Sequence, residues 1–180
     1  MTGRGSIALL LIAAAILLRP WDSAPIRRLL PIGEQASAVR AAERLRGRVV
    51  RAVDGDTLEV ALDGGATETV RLIGVDTPET VKPGAPVQCF GPRASAFEHR
   101  TIEGRRVRLL IGVEPRDHYG RLLAYAWIEG RPHARFLEVE LLRRGLARTL
   151  TFHPNDRFAP RFERLEQKAA RSGKGLWNAC

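Results

Sequence analysis

The sequence predicts an α+β fold, mainly β: a small five-stranded Greek-key barrel with about three helices, preceded by an N-terminal hydrophobic segment. Three observations lead there. Between Arg48 and Trp127, apolar residues recur at the period of half-buried strands. Turn signals divide these runs, at Asp54-Gly55, Asp63-Gly64-Gly65 and Glu129-Gly130. The helical stretches between them do not alternate with strands as the βαβ units of a parallel sheet would.

Val49, Val50 and Val53 make the first strand, Leu58, Val60 and Leu62 the second, and Val70 and Leu72 the third. Residues 81–90 hold Pro83, Gly84 and Pro86, so an irregular loop is expected. Pro92 suits the first turn of a helix running through Ala94, Phe97 and Ile102, with Gly104 as its stop. Val107, Leu109, Ile111 and Val113 alternate in a fourth strand, and Leu123, Tyr125 and Trp127 in a fifth. A second helix covers Phe136 to Arg144 and ends at Gly145. A last one runs from about Phe158 to Arg171, with Phe158, Phe162, Leu165 and Ala169 on one face and Arg161, Arg164, Lys168 and Arg171 in a basic stripe beside it.

The chain has 180 residues, 44% of them hydrophobic, which suits one globular domain with an extra segment in front. There are no internal repeats and no low-complexity tract. A formal net charge of +9 should draw the protein to polyanions. Residues 7–18 are continuously apolar, with Arg4 before them and Arg19 after. This is the pattern of a signal-peptide core. As a helix it would be about 18 Å long, short of a ~30 Å hydrocarbon layer. Small flanking residues and Trp21 could extend it into a membrane anchor. The expected organisation is therefore a signal peptide or anchor over 1–21, a linker over 22–47 and one domain over 48–180, in a secreted or cell-envelope protein, membrane-anchored if the segment is not cleaved. Cys89 and Cys180 are an even pair, and outside the cytoplasm such a pair implies one disulfide.

The chemistry concentrates between Val53 and Thr80. Folding at Asp63-Gly64-Gly65 carries Asp56, near the start of the second strand, towards Asp76, just past the third. Two carboxylates at short range repel, and such a pair implies a cation between them. Oxygen ligands suit Ca²⁺. No His/Cys group has zinc spacing. Arg71 lies in an otherwise apolar strand, where its charge needs a partner. Asp117-His118-Tyr119-Gly120-Arg121 adds a second arginine in a turn.

The motifs VDGDT, RLIGVDTPE and DHYGR, in that order, followed by RRGLA and GLW, resemble staphylococcal (micrococcal) nuclease and the thermonuclease family from about Arg48 to Trp177. The resemblance implies an OB-fold and a monomeric, Ca²⁺-dependent phosphodiesterase acting on DNA and RNA. Cleavage of the P–O5′ bond would leave 3′-phosphate ends. It implies Asp56, Asp76 and the carbonyl of Thr77 as metal ligands, with Asp54 behind them. Glu79 becomes the acidic group acting on the attacking water. Arg71 and Arg121 become the forks that grip the scissile phosphate, and His118 and Tyr119 line the nucleotide pocket. Two departures stand out. His118 replaces the usual lysine, and LTFHP at 150–154 replaces a tyrosine-rich segment, leaving base stacking there to Phe152. The competing class is a non-catalytic OB-fold nucleic-acid-binding module, which would keep the barrel but lose Glu79 or the arginines; all are present. A non-enzymatic envelope protein explains the charge but not the acidic group.

Overall fold

The computed structural model describes residues 44–78, 80 and 88–180. The hydrophobic segment 7–18, nearly all of the expected linker, and Glu79 lie outside the described residues. In chain order the elements are β1 (Arg44–Ala52), β2 (Thr57–Leu62), β3 (Thr67–Leu72), β4 (Gly74–Asp76), α1 (Gly91–Ile102), β5 (Arg106–Arg116), β6 (Leu122–Ile128), β7 (Arg135–Phe136), α2 (Leu137–Arg144), β8 (Arg148–Leu150), α3 (Ala159–Arg171) and the single turn α4 (Leu176–Ala179). No helix among the described residues is long and apolar enough to cross a membrane.

Five strands close a barrel. β3, β2, β1, β5 and β6 pair antiparallel in that order, and β6 returns to pair in parallel with β3 through Val70–Leu122, Arg71–Leu123 and Leu72–Ala124. Closure removes the open edges that an unclosed sheet of these strands would present. The mainly β barrel with helices packed on it is the predicted fold class. β1 already pairs with β5 at Arg44, four residues before the expected domain start at Arg48. Its outward positions there are arginines, so hydrophobic alternation gave no sign of it.

The barrel is filled by fully buried Val49, Leu58, Val60, Val70, Val107, Leu109 and Ala124. Truncating one of the larger of these to Ala should cost about 2–5 kcal/mol. The phase of three strands differs from the sequence-based expectation. In β1 the register shifts between Val49 and Arg51, so Val50 is left exposed and Ala52 turns inward. In β5 the register with β6 shifts between Ile111 and Arg116, and Val113 is 79% exposed. In β6 the positions between the expected ones, Leu122, Ala124, Ala126 and Ile128, are all buried. Tyr125 and Trp127 instead meet the helical layer. Tyr125 packs edge-on against Phe158, with ring centres 4.7 Å apart, and Trp127 stacks on Phe136 at 4.2 Å. Both faces of β6 are covered, so period-two apolarity alone could not set its phase.

The helices end where their glycines allow. Gly104 (φ 71°) follows α1, and Gly145 (φ 66°) caps α2 with its N–H directed to Leu141 and Leu142 carbonyls. The α2 residue Glu138 is fully buried and accepts the Ala126 N–H of β6 at 3.0 Å. Burial pushes its carboxyl well above the usual range, against the opposing pull of its backbone donors.

Candidate active site

The site grows from two turns and one strand. In the β1–β2 turn, Asp54 Oδ1 accepts the Asp56 N–H at 3.0 Å, an Asx turn that sets the Asp56 backbone. Gly55 lies against Thr77, and a Cβ there would come within 2.5 Å of the Thr77 hydroxyl. Glycine is thus what lets the β1–β2 turn touch the segment after β4. Across this contact, Asp56 Oδ2 accepts the Thr77 N–H at 3.0 Å and the Thr77 hydroxyl at 3.3 Å.

The barrel register supplies Arg71. Val70 and Leu72 are buried in the barrel core, so Arg71 between them faces away from it on β3, its side chain mostly covered. Its Nη1 lies 3.1 Å from Asp56 Oδ1 and donates to the Leu72 and Val75 carbonyls at 3.1 and 2.9 Å. Its Nη2 reaches Asp76 Oδ1 at 3.4 Å. One guanidinium therefore joins both carboxylates singled out in the sequence. Burial above all, with the charges of Asp54 and Asp76, lifts the Asp56 carboxyl to about 6 against the opposing pull of Arg71 and the Thr77 N–H.

The second arginine is held by its own turn. Asp117 accepts the Arg121 N–H at 2.9 Å and the Arg121 Nε at 2.7 Å. Burial opposes ionisation of Asp117, but the bonds from Arg121 and from the Tyr119 N–H hold its carboxyl below the ordinary value. Arg116 ties this turn to the barrel, forking onto Glu68 of β3 at 2.7 and 2.9 Å and donating to the Gly120 carbonyl at 2.8 Å.

Arg71, Arg121, Arg116, His118 and Phe152 are among the walls of one open cleft of about 560 Å³. The structure thus brings both predicted arginines and His118 to one cavity. Tyr119 stands on the same turn but is not part of the wall. It is 73% exposed, with its ring 5.3 Å from the Arg121 guanidinium carbon. Asp56, Asp76 and Thr77 are not themselves walls of the cleft; Arg71, which touches both carboxylates, is, as is Val75 next to Asp76. Glu79 lies outside the described residues.

The donors gathered at Asp56, Asp76 and Thr77 are oxygens, a set for a hard cation. Among the described residues no three His, Cys, Asp or Glu side chains converge. A cation here would complete its shell from carbonyls and water. The upward push on the buried Asp56 carboxyl, which Arg71 does not offset, is the electrostatic deficit that such a cation fits.

Sequence reasoning missed three supporting residues. Asp117 orients Arg121, Arg116 braces the turn, and Asn155 binds the far wall. Asn155 is buried; its amide exchanges hydrogen bonds with the Glu114 backbone at 3.1 and 2.9 Å, and its carbonyl accepts the Tyr125 hydroxyl at 3.1 Å. A Cβ at Gly112 would collide with that amide. The sequence-level signal was a glycine inside a strand pattern, which marks close approach of another group. Cys89 and Cys180 form a disulfide, with Cα atoms 5.9 Å apart.

The staphylococcal nuclease homologue family model matches residues 69–179. Thermonuclease of Staphylococcus intermedius is 41% identical over 147 residues, spanning 82% of this chain and 83% of that protein. Thermonuclease of Staphylococcus hyicus is 40% identical over 131 residues, spanning 73% and 75% respectively. Endonuclease YncB of Bacillus subtilis (strain 168) is 38% identical over 131 residues, spanning 71% of this chain and 59% of that protein.

Proposed function

The chain belongs to the staphylococcal nuclease homologue family and is a nuclease, a phosphodiester hydrolase; from this premise we propose that it cuts DNA and RNA with Ca²⁺ held by Asp56, Asp76 and the Thr77 carbonyl. The observation that carries this reading is Arg71, shared between two carboxylates and the wall of the cleft. A phosphodiester is an anion that repels an attacking oxygen. Its hydrolysis needs positive charge at the phosphate, a positioned water and a proton acceptor.

The residues divide this work. Arg71 and Arg121 present planar donor forks to the phosphoryl oxygens and strengthen their grip as charge builds on them. Asp117 and Arg116 hold Arg121 in place for this. Ca²⁺, when bound, supplies the hard positive charge that neutralises the phosphate. Glu79, two residues after Thr77, takes a proton from the attacking water or orients it. The water oxygen bonds to phosphorus as the P–O5′ bond breaks, and the departing O5′ gains a proton. The products are a 3′-phosphate and a 5′-hydroxyl. His118 and Phe152 flank the phosphate site on the nucleotide side, with Tyr119 at its edge.

We place the activity outside the cytoplasm, in a secreted or envelope-anchored monomer. The apolar run at residues 7–18 and the Cys89–Cys180 disulfide support this. The test is incubation of purified protein with DNA and with RNA, in Ca²⁺ and in excess chelator. Cleavage of both polymers in Ca²⁺ alone, with 3′-phosphate ends, is the expected result. Full activity in chelator would overturn the metal assignment, and binding without cleavage would overturn the catalytic one.

A further inference from the structure

We propose that the groove between α1 and the end of α2 is a second site for single-stranded nucleic acid, distinct from the cleft, which lengthens the grip on the substrate. The proposal rests on the nuclease reading and deepens it.

The groove follows from how α1 is buried. Ala94, Glu98 and Ile102, four residues apart, face the core. Arg93, Phe97 and Arg100 recur at i, i+4 and i+7 on another face, and with Phe90, Arg144 and Leu146 they line an open groove of about 520 Å³. None of these residues walls the cleft that holds Arg71 and Arg121.

Its chemistry is specific. Three guanidiniums and two aromatic rings line it. Arg93 lies 5.2 Å from the centre of the Phe90 ring, and Arg144 lies 4.8 Å from that of Phe97. Among the described residues Arg93 and Arg100 have no carboxylate partner, while Arg144 has Glu140 at 3.5 Å. Arg93, stacked over the Phe90 ring and free of a carboxylate among these residues, offers an unpaired base a flat guanidinium plane and its phosphate a set of donors, with Arg100 adding a second unpaired charge. A duplex hides its base faces, so the fit is to a single strand. A groove for an apolar helix would lack the cations along its length.

The groove is also pre-formed. Phe90 is held at φ 68°, a conformation uncommon outside glycine. Its neighbour Cys89 is tied by the disulfide to Cys180. That bond anchors the residue before Phe90 to the C-terminal end of the chain, so less ordering of this wall remains when a strand binds.

The test uses the intact chain and the exposed double variant Arg93→Ser/Arg100→Ser, with unchanged thermal melting as the folding control. Binding is measured on phosphorothioate oligothymidylates of 4 and 20 nucleotides across a salt series, and cleavage on a dinucleotide. The expected result is a loss of about tenfold for the 20-mer only, with the salt slope reduced by about 1.4, two phosphate contacts at ~0.7 each. Dinucleotide turnover and KM should stay at wild-type values. Equal affinity and slope for the 20-mer would overturn the proposal, as would an equal loss on the 4-mer. Loss of sedimentation with phosphatidylglycerol vesicles, with 20-mer binding intact, would make this a lipid-headgroup site and also overturn it. If wild-type protein cleaves no substrate, the nuclease reading fails, and the 20-mer comparison still decides the groove.

Discussion

Arg71→Met should destabilise the protein much more at pH 8 than at pH 5. The side chains of Arg71 and Asp56 are only 14% and 9% exposed, and their polar atoms lie 3.1 Å apart. Removing one partner of a buried ion pair costs about 3–5 kcal/mol, because the other charge is left without compensation. Asp56 is lifted to about 6 in the fold, above the ~3.9 of an unfolded aspartate. Below that unfolded value Asp56 holds its proton in both states and has no effect on the balance. As pH rises from there towards 6, the folded form binds more protons than the unfolded form, and stability falls. Loss of Arg71 removes the main influence lowering that pKa, so the interval widens upward. Each unit by which the variant raises Asp56 adds about 1.4 kcal/mol of loss above the wild-type titration. At pH 5 Asp56 is mostly protonated in both proteins. The variant then loses packing and the bonds to the Leu72 and Val75 carbonyls, but no charge pair. Urea unfolding in excess chelator at the two pH values measures the difference. An equal destabilisation at pH 5 and pH 8 would refute the claim that Arg71 acts by compensating a buried Asp56 carboxylate.

Further expectations concern the metal, the water and the disulfide. Ca²⁺ affinity, read by calorimetry on the catalytically silent Glu79→Gln protein, should be flat above about pH 6 and fall up to tenfold per unit below it, because Asp56 must lose its proton to act as a ligand; pH-independent affinity from 5 to 8 would remove Asp56 from the ligand set. Glu79→Gln itself should lower single-turnover cleavage by ~10²–10⁴-fold while binding to an uncleavable oligonucleotide stays within a few-fold, since Arg71 and Arg121 still hold the phosphate. Unchanged cleavage would take Glu79 out of the reaction. The Cys89–Cys180 bond spans 91 residues, and its reduction should lower unfolding free energy by up to ~4–5 kcal/mol in the loop-entropy account. Coincident urea curves with and without reductant would show that the bond does not restrain the unfolded chain.

The sequence alone determined the features that depend on near neighbours. Alternation marked β2, β3 and β5, and glycines and prolines marked the ends of α1 and α2, because strand period and helix stops are local backbone properties. The motifs around Asp56, Arg71, Asp76 and Arg121 were readable for the same reason, each sitting in a short turn or strand of characteristic composition. What the tertiary structure decided depends on residues distant in the chain. The parallel pairing of β3 with β6 closes the barrel and is set by its geometry, which no local pattern encodes. The side of β6 that faces the barrel was settled by Phe136 of β7, Phe158 just before α3 and Phe162 within it, which cover its other face. Arg71 appeared in the sequence as a charge needing a partner. Only the fold shows that Asp56, Asp76 and two carbonyls converge on it. Asn155 and Asp117 look like ordinary loop residues in the sequence. Their importance comes from what surrounds them, since a polar side chain gains its role only when burial removes water and leaves it specific protein partners.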